Sequence, residues 1–272
     1  MGTRLLAAGV PITTCFESLS LGEGEAIRKI HEEDIAAGAR VITTNSFGAN
    51  AVRLARFGLE QRVTEINCAA VQVARRAANG HDVYVAGCVG PLGMSEKHAA
   101  LERIDRGKCF AEQITALATA GVDLVCLETF TRLEEMMVAF EVAQRIGVGP
   151  VICSFAGSAP GQLSCGTDLR DAFATMREAG ARAFGVNCVS VADALTLADH
   201  VGAADLLAVY PSAGLPTPSR QSSLAFPATR MDFAACTREL IARGVRLIGG
   251  CCGTTGQHIR AIADTIVEQD VR

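Results

Sequence analysis

The sequence predicts an α/β fold and, within that class, a (β/α)8 TIM barrel whose first strand is missing or atypical. Three observations lead there. Short apolar runs of strand length recur along the 272 residues, the stretches between them carry helical spacing, and no linker or shift in composition divides the chain. A doubly wound open sheet fits the same alternation, but the chain length and the even spacing of strand and helix favour the barrel. Residues 1–272 are accordingly read as one barrel domain.

In chain order the runs are Val41–Asn45, Val83–Gly87, Asp123–Glu128, Pro150–Phe155, Ala183–Cys188, Leu206–Tyr210 and Arg246–Gly250. Each is nearly continuous in apolar residues, as a parallel strand must be when helices cover its outer face. The intervening stretches keep one apolar side: Phe110, Ile114 and Leu117, then Leu169, Phe173 and Met176, then Ile259, Ile262 and Ile266. Thr131 with Glu134 three residues later predicts a capping box at one helix start. Ala37-Gly38-Ala39, Ala120-Gly121-Val122 and Ala179-Gly180-Ala181 stand where a helix gives way to a strand, and glycine suits a helix C-terminus because it takes positive φ without strain. Seven runs are one short of a full barrel. A first strand would lie before Met1 or in a poorer segment within residues 1–16.

Hydrophobic residues make up 49% of the chain and charged residues 20%, which excludes a disordered polymer. The net charge of −4 offers no basic footprint for nucleic acid and no polybasic membrane patch. No apolar run approaches the roughly 18–20 residues needed to cross a bilayer, and no signal peptide precedes the globular pattern. Eleven cysteines in a long chain rich in Ala, Val, Ile and Leu do not resemble a secreted disulfide framework; they predict reduced thiols and a cytoplasmic protein. Cys126 and Cys153, inside apolar runs, read as small core residues.

Function in a barrel collects at the C-terminal ends of the strands. Those ends carry Asn45, Cys88, Glu128, Asn187-Cys188, Tyr210 and Cys251-Cys252. Adjacent cysteines form a poor disulfide but can both ligate one metal if the backbone turns sharply, and Gly249, Gly250 and Gly253 permit such a turn. Cys188 ends a run two strands earlier, so its sulfur can face the same axis. Three thiolates with a fourth position open make a catalytic zinc arrangement, whereas a structural site is closed by four ligands. Two other readings stay open at this point: a pair of buried thiols in a tight turn, and a glycine-rich phosphate cradle. Cys88 reads as incidental.

The residues then show a resemblance that covers nearly the whole chain. "MGTRLLAAG" at 1–9, "AGARVITTNSFGAN" at 37–50, "GCVGPLG" at 87–93, "DLVCLETF" at 123–130, "GVNC" at 185–188, "YPSAGLP" at 210–216 and "GGCCGT" at 249–254 resemble the homocysteine S-methyltransferase family. "CFESL" at 15–19 and "RLARFGLE" at 53–60 are most similar to the methyltransferase half of bacterial fusions with methylenetetrahydrofolate reductase. The resemblance implies zinc held by Cys188, Cys251 and Cys252, Glu128 meeting the amino group of homocysteine, and contacts near the substrate from Asn187 and, more weakly, Asn45. It also implies methyl transfer to the homocysteine thiol, giving methionine.

Two departures from the family pattern bear on this reading. The family usually opens with an apolar strand and Asp-Gly ahead of Met-Gly-Thr, whereas here the sequence begins at Met1-Gly2-Thr3. Ser212 stands where the family commonly has Asn. The methyl donor is not legible. A small molecule or a separate corrinoid or folate protein fits, and a homo-oligomer is compatible with the chain. Alternatives are a non-catalytic barrel that binds a methyl-donor partner, or the same zinc chemistry on another thiol. The expectation for residues 1–16 is that they pack near the barrel mouth without forming an inner strand.

Overall fold

The computed structural model describes residues 1–22, 24–94, 103–157, 161–199, 206–214, 217–218 and 224–270. Helices α1 (Gly2–Ala7) and α2 (Glu25–Ala36) precede strand β1 (Val41–Thr43). Helices α3 (Ala51–Leu54) and α4 (Val63–Ala78) lead to β2 (Tyr84–Val89). Alternation then continues through α5 (Arg106–Thr119), β3 (Leu124–Phe130), α6 (Leu133–Ile146), β4 (Val151–Phe155), α7 (Leu169–Glu178), β5 (Ala183–Asn187), α8 (Val191–Ala198) and β6 (Leu206–Tyr210). A short antiparallel pair, β7 (Thr217–Pro218) and β8 (Leu224–Ala225), precedes α9 (Arg230–Ala242), β9 (Leu247–Ile248) and α10 (Gly256–Asp270).

All seven runs read from the sequence appear as strands of one parallel sheet in the order β1-β2-β3-β4-β5-β6-β9. Each strand of this sheet pairs with the sheet strand that precedes it in the chain, so the order never reverses as it does in a doubly wound sheet. This is barrel winding. Among the described residues β1 and β9 do not pair with each other, and the seam between them is spanned on the outside by helices. Arg260 of α10 donates to the Ala36 carbonyl at the end of α2, and a Cβ on Gly38 would lie 2.8 Å from the Ala263 methyl. As expected for residues 1–16, the first of them form no strand: α1 lies at the seam, with Arg4 bridging to Glu33 and, at 2.6 Å, to Asp34.

Strand alternation sorts the side chains into two layers. One parity points into the barrel, where Ala86, Leu124, Cys126, Ile152, Ala183 and Ala208 cluster with Tyr210 and Leu247. The other faces the helices, where Val125, Leu127, Cys153, Phe155, Phe184 and Val209 pack with Phe110, Ile114, Phe173 and Met176. Cys126 and Cys153 are the core residues the sequence suggested, and burial pushes both thiols up from their ordinary range. Gly38, Gly121 and Gly180 all adopt positive φ at helix ends, as expected. The capping box at Thr131 does not form: α6 starts at Leu133 behind an extended Arg132 that makes no side-chain cap. The chain leaves β3 through an irregular turn at Thr129, which displaces the helix start. The full capping box occurs instead at Thr229 and Asp232.

Strand β3 carries a register irregularity near its C-terminal end. Leu127 pairs with Cys153 but Phe130 pairs with Phe155, so three steps on β3 match two on β4. One extra residue is inserted. Without it, Glu128 and Phe130 would share a face. With it, Glu128 keeps the inward parity of Leu124 and Cys126, while Phe130 turns outward and lies 6.0 Å from the Phe110 ring.

Candidate metal centre

The last inward position of β5 is Asn187, and the next residue, Cys188, has φ +58. An undisturbed strand would send Cys188 toward the helices; the left-handed turn instead brings its sulfur to 3.7 Å from the sulfur of Cys252. Cys251 and Cys252 sit in the loop after β9, which is tied down on several sides. Cys251 N–H donates to the Pro211 carbonyl at 2.8 Å, and Ala213 N–H donates to the Cys252 carbonyl at 2.8 Å. The Thr254 hydroxyl donates to the Cys251 carbonyl at 2.7 Å, and Gly253 N–H donates to the Thr3 hydroxyl at 3.1 Å. Gly253 has φ +77 and lies against the Phe226 ring, while Gly249 lies against Tyr210; a Cβ would clash at either place.

The sulfurs of Cys188, Cys251 and Cys252 lie within 4.8 Å of one another, and each residue is partly exposed to the mouth. Two sulfurs on a tetrahedral zinc, each ~2.3 Å from it, stand about 3.8 Å apart. The Cys188–Cys252 separation of 3.7 Å already meets that requirement. The three thiols are tightly linked to one another electrostatically. Hydrogen bonds from Cys188 and Cys251 pull Cys252 down to about 3. Cys251 is pushed well up by its hydrogen bonds with Cys188 and Cys252, and then by burial. Cys188 stands at about 11: the Cys251 hydrogen bond lowers it, but the one to Cys252 and burial outweigh that effect. A bound cation favours the ionised form of each thiol, and thiolate donors suit a soft divalent metal. The donor set fits a metal ion.

Glu128 stands at the inward end of β3 and accepts a hydrogen bond from the Cys88 thiol. Burial holds its carboxyl above the usual carboxylate range, against the opposing pull of that hydrogen bond, and the charge on Cys252 adds to the rise. Glu128 therefore belongs to the same electrostatic neighbourhood as the cysteines. Among the described residues its hydrogen-bond partner is the Cys88 thiol, which offsets only part of the cost of burying a carboxyl.

The other sequence candidates fall into two groups. Asn187 is fully buried and bonds to Thr129 and Ser154, with its amide nitrogen 3.7 Å from the Cys251 sulfur. The Asn45 amide donates to the Phe16 carbonyl at 2.7 Å and the Ser20 hydroxyl at 3.2 Å, which anchors the segment after α1. Ser212 N–H and hydroxyl both reach the Val189 carbonyl, beside Cys188. The sequence reading missed Cys88, which holds Glu128, and Thr3, which holds the cysteine loop. Strand parity could have found Cys88, because it is the inward residue two steps beyond Ala86.

Residues 1–266 match the family described as "Homocysteine S-methyltransferase". The chain belongs to that family. It is 30% identical over 271 residues to the betaine–homocysteine S-methyltransferase 1 of Mus musculus, covering 90% of this chain and 65% of that protein. It is 26% identical over 294 residues to the methionine synthase of Mycobacterium leprae, covering 98% of this chain and 24% of that protein. The chain thus spans less than two thirds of the length of these curated relatives. In three dimensions it resembles the metallated form of the homocysteine methyltransferase MmuM from Escherichia coli, with a TM-score of 0.76, 26% identity, and coverage of 97% of this chain and 93% of that one. No helix among the described residues is long and apolar enough to cross a membrane.

Proposed function

We propose that the chain, acting as one homocysteine-binding barrel domain over residues 1–272, is a zinc-dependent methyltransferase that transfers a methyl group to the thiol of homocysteine and yields methionine. One observation carries this reading: three sulfurs within 4.8 Å of one another share a barrel mouth with the buried carboxyl of Glu128. Cys188, Cys251 and Cys252 would hold the zinc. Zinc on three thiolates has a further position for a thiol and supplies the Lewis acidity that removes its proton near neutral pH.

The protein's own groups then act on the rest of the substrate. Glu128 receives the substrate ammonium, and that cation favours the ionised carboxylate against the burial that otherwise raises its pKa. The Cys88 thiol fixes one carboxyl oxygen, so the other can face the ligand. Asn45 shapes the mouth through the 16–20 segment it anchors. In the transfer, the new sulfur–carbon bond forms as the donor–carbon bond breaks; the thiol proton leaves to solvent and the donor departs one methyl lighter.

The mouse relative's name contains betaine, and the mycobacterial relative is a methionine synthase. A small-molecule donor and a methyl-carrying corrinoid or folate protein are therefore the two donor classes to test. Eleven free cysteines support a reducing, cytoplasmic location. The deciding experiment incubates the purified protein with zinc and homocysteine against betaine, S-methylmethionine, S-adenosylmethionine and a methylated corrinoid protein, with methionine read by mass spectrometry. Methionine from at least one donor supports the reading. No product from any donor, together with no homocysteine binding by calorimetry, overturns it.

A further inference from the structure

Asn187 has no exposed surface, and its amide is already committed to the protein. Its Oδ1 accepts from Thr129 N–H at 2.8 Å and from the Ser154 hydroxyl at 2.9 Å. Its Nδ2 donates to the Thr129 hydroxyl at 2.7 Å and points to the Cys251 sulfur at 3.7 Å. Nothing is left for a substrate. Thr129 is grasped twice, by backbone and by side chain, and it lies within the bulge of β3 with φ +64. A β-branched residue rarely adopts that conformation, so the surrounding bonds must hold it there.

The consequence falls on the residue before it. Glu128 is joined to Thr129 by one peptide bond; a regular strand would turn Glu128 inward with Phe130 beside it, and the turn at Thr129 carries that ring to the helix layer and leaves the carboxyl alone at the mouth. We propose that Asn187 is a positioning residue that locks Thr129 in its left-handed turn and thereby aims the Glu128 carboxyl into the mouth. Through its contact with Cys251 the same side chain also fixes the carboxyl end of the site relative to the cysteine end. The inference rests on the reading above, in which Glu128 receives the substrate ammonium.

The test compares four zinc-loaded proteins: the unaltered chain, Asn187→Ala, Thr129→Gly and the double variant. Zinc content is measured first, then homocysteine affinity by calorimetry, then hydrogen exchange of the Thr129 amide. Asn187→Ala should keep one zinc per chain, bind homocysteine at least tenfold more weakly, and exchange the amide at position 129 faster. Thr129→Gly should weaken homocysteine binding less than Asn187→Ala does, because glycine takes positive φ unaided. For the same reason, adding Asn187→Ala to Thr129→Gly should weaken binding by less than a further threefold. Three results would each overturn the proposal: homocysteine affinity of Asn187→Ala within threefold of the unaltered protein, an equal loss in the glycine background, or loss of zinc from Asn187→Ala. Should Asn187→Ala alone fail to fold, recovery of a folded, binding double variant supports the lock, and its failure to recover counts against it. Absence of homocysteine binding by the unaltered protein would defeat the functional reading instead, and the exchange of the Thr129 amide then decides the lock on its own.

Discussion

Replacing Cys188 with serine removes one of the three sulfurs at the mouth and leaves the other two in their loop. The side chain is partly exposed and belongs to no core cluster, so the change removes a ligand without opening a cavity. A serine hydroxyl stays protonated near neutral pH, and its oxygen replaces the sulfur that stands 3.7 Å from Cys252. Zinc bound by a four-ligand protein site is worth about 10–16 kcal/mol, or roughly 3 kcal/mol for each ligand. At about 1.4 kcal/mol per tenfold change, zinc affinity should fall about 100-fold. Competition with a chromophoric chelator at pH 7 reads that number directly, with circular dichroism to confirm that the barrel is folded. Cys251→Ser should behave alike, whereas Cys68→Ser, at a thiol that only approaches the Ala116 carbonyl, should leave zinc affinity unchanged. Affinity of Cys188→Ser within threefold of the unaltered protein would refute the three-cysteine centre.

Glu128→Gln keeps the shape of the side chain and removes its charge; with about 1.5–3 kcal/mol for a hydrogen bond to a charged group, homocysteine affinity should fall about 10- to 100-fold while zinc content stays constant. Calorimetry with zinc-loaded protein measures it, and an unchanged affinity takes Glu128 out of the substrate site. Gly253→Ala adds a Cβ at φ +77, against the Phe226 ring. The left-handed backbone alone costs about 1–2 kcal/mol, so both the melting temperature and zinc affinity should drop, and a variant matching the parent in both would show that the loop is not held as described. Homocysteine binding should release about one proton and add a fourth sulfur to the zinc shell by X-ray absorption. A three-sulfur shell at saturating homocysteine would remove the thiol from the metal.

The regular part of this molecule was legible because regular structure has a period. Every apolar run became a strand, and the glycines at 38, 121 and 180 mark helix ends because positive φ excludes most other residues. Cys251 and Cys252 were legible for a related reason: glycines on both sides reported a turn before the turn was seen. Thr131 failed as a helix cap because a capping box is a local pattern, and the chain's exit from β3 is decided at Thr129 by groups from β4 and β5. Asn45 carried the right position at a strand end, yet a strand end does not say which neighbour takes the amide; Phe16 and Ser20 do. Cys88 was passed over because its partner, Glu128, is 40 residues away in the chain and one strand away in space.

The candidate site sits where the strands stop being regular, and that explains part of what the sequence concealed. Among the described residues the non-glycine positions with positive φ are Arg103, Thr129 and Cys188, and the last two flank the mouth. A parallel strand delivers only every second side chain to the barrel interior. Regular β5 would bring Asn187 inward and send Cys188 outward; regular β3 would bring Glu128 and Phe130 inward together. The left-handed turn at Cys188 adds a sulfur to the interior, and the bulge at Thr129 removes a phenyl ring from it. Each departure is unfavourable for a residue with a Cβ, and each is offset by contacts from another strand or loop: Cys188 by Cys252 and by its N–H bond to the Tyr210 carbonyl, Thr129 by Asn187. Those two turns give the mouth its third thiol and free it of a phenyl ring, over an interior of alanine, leucine and isoleucine.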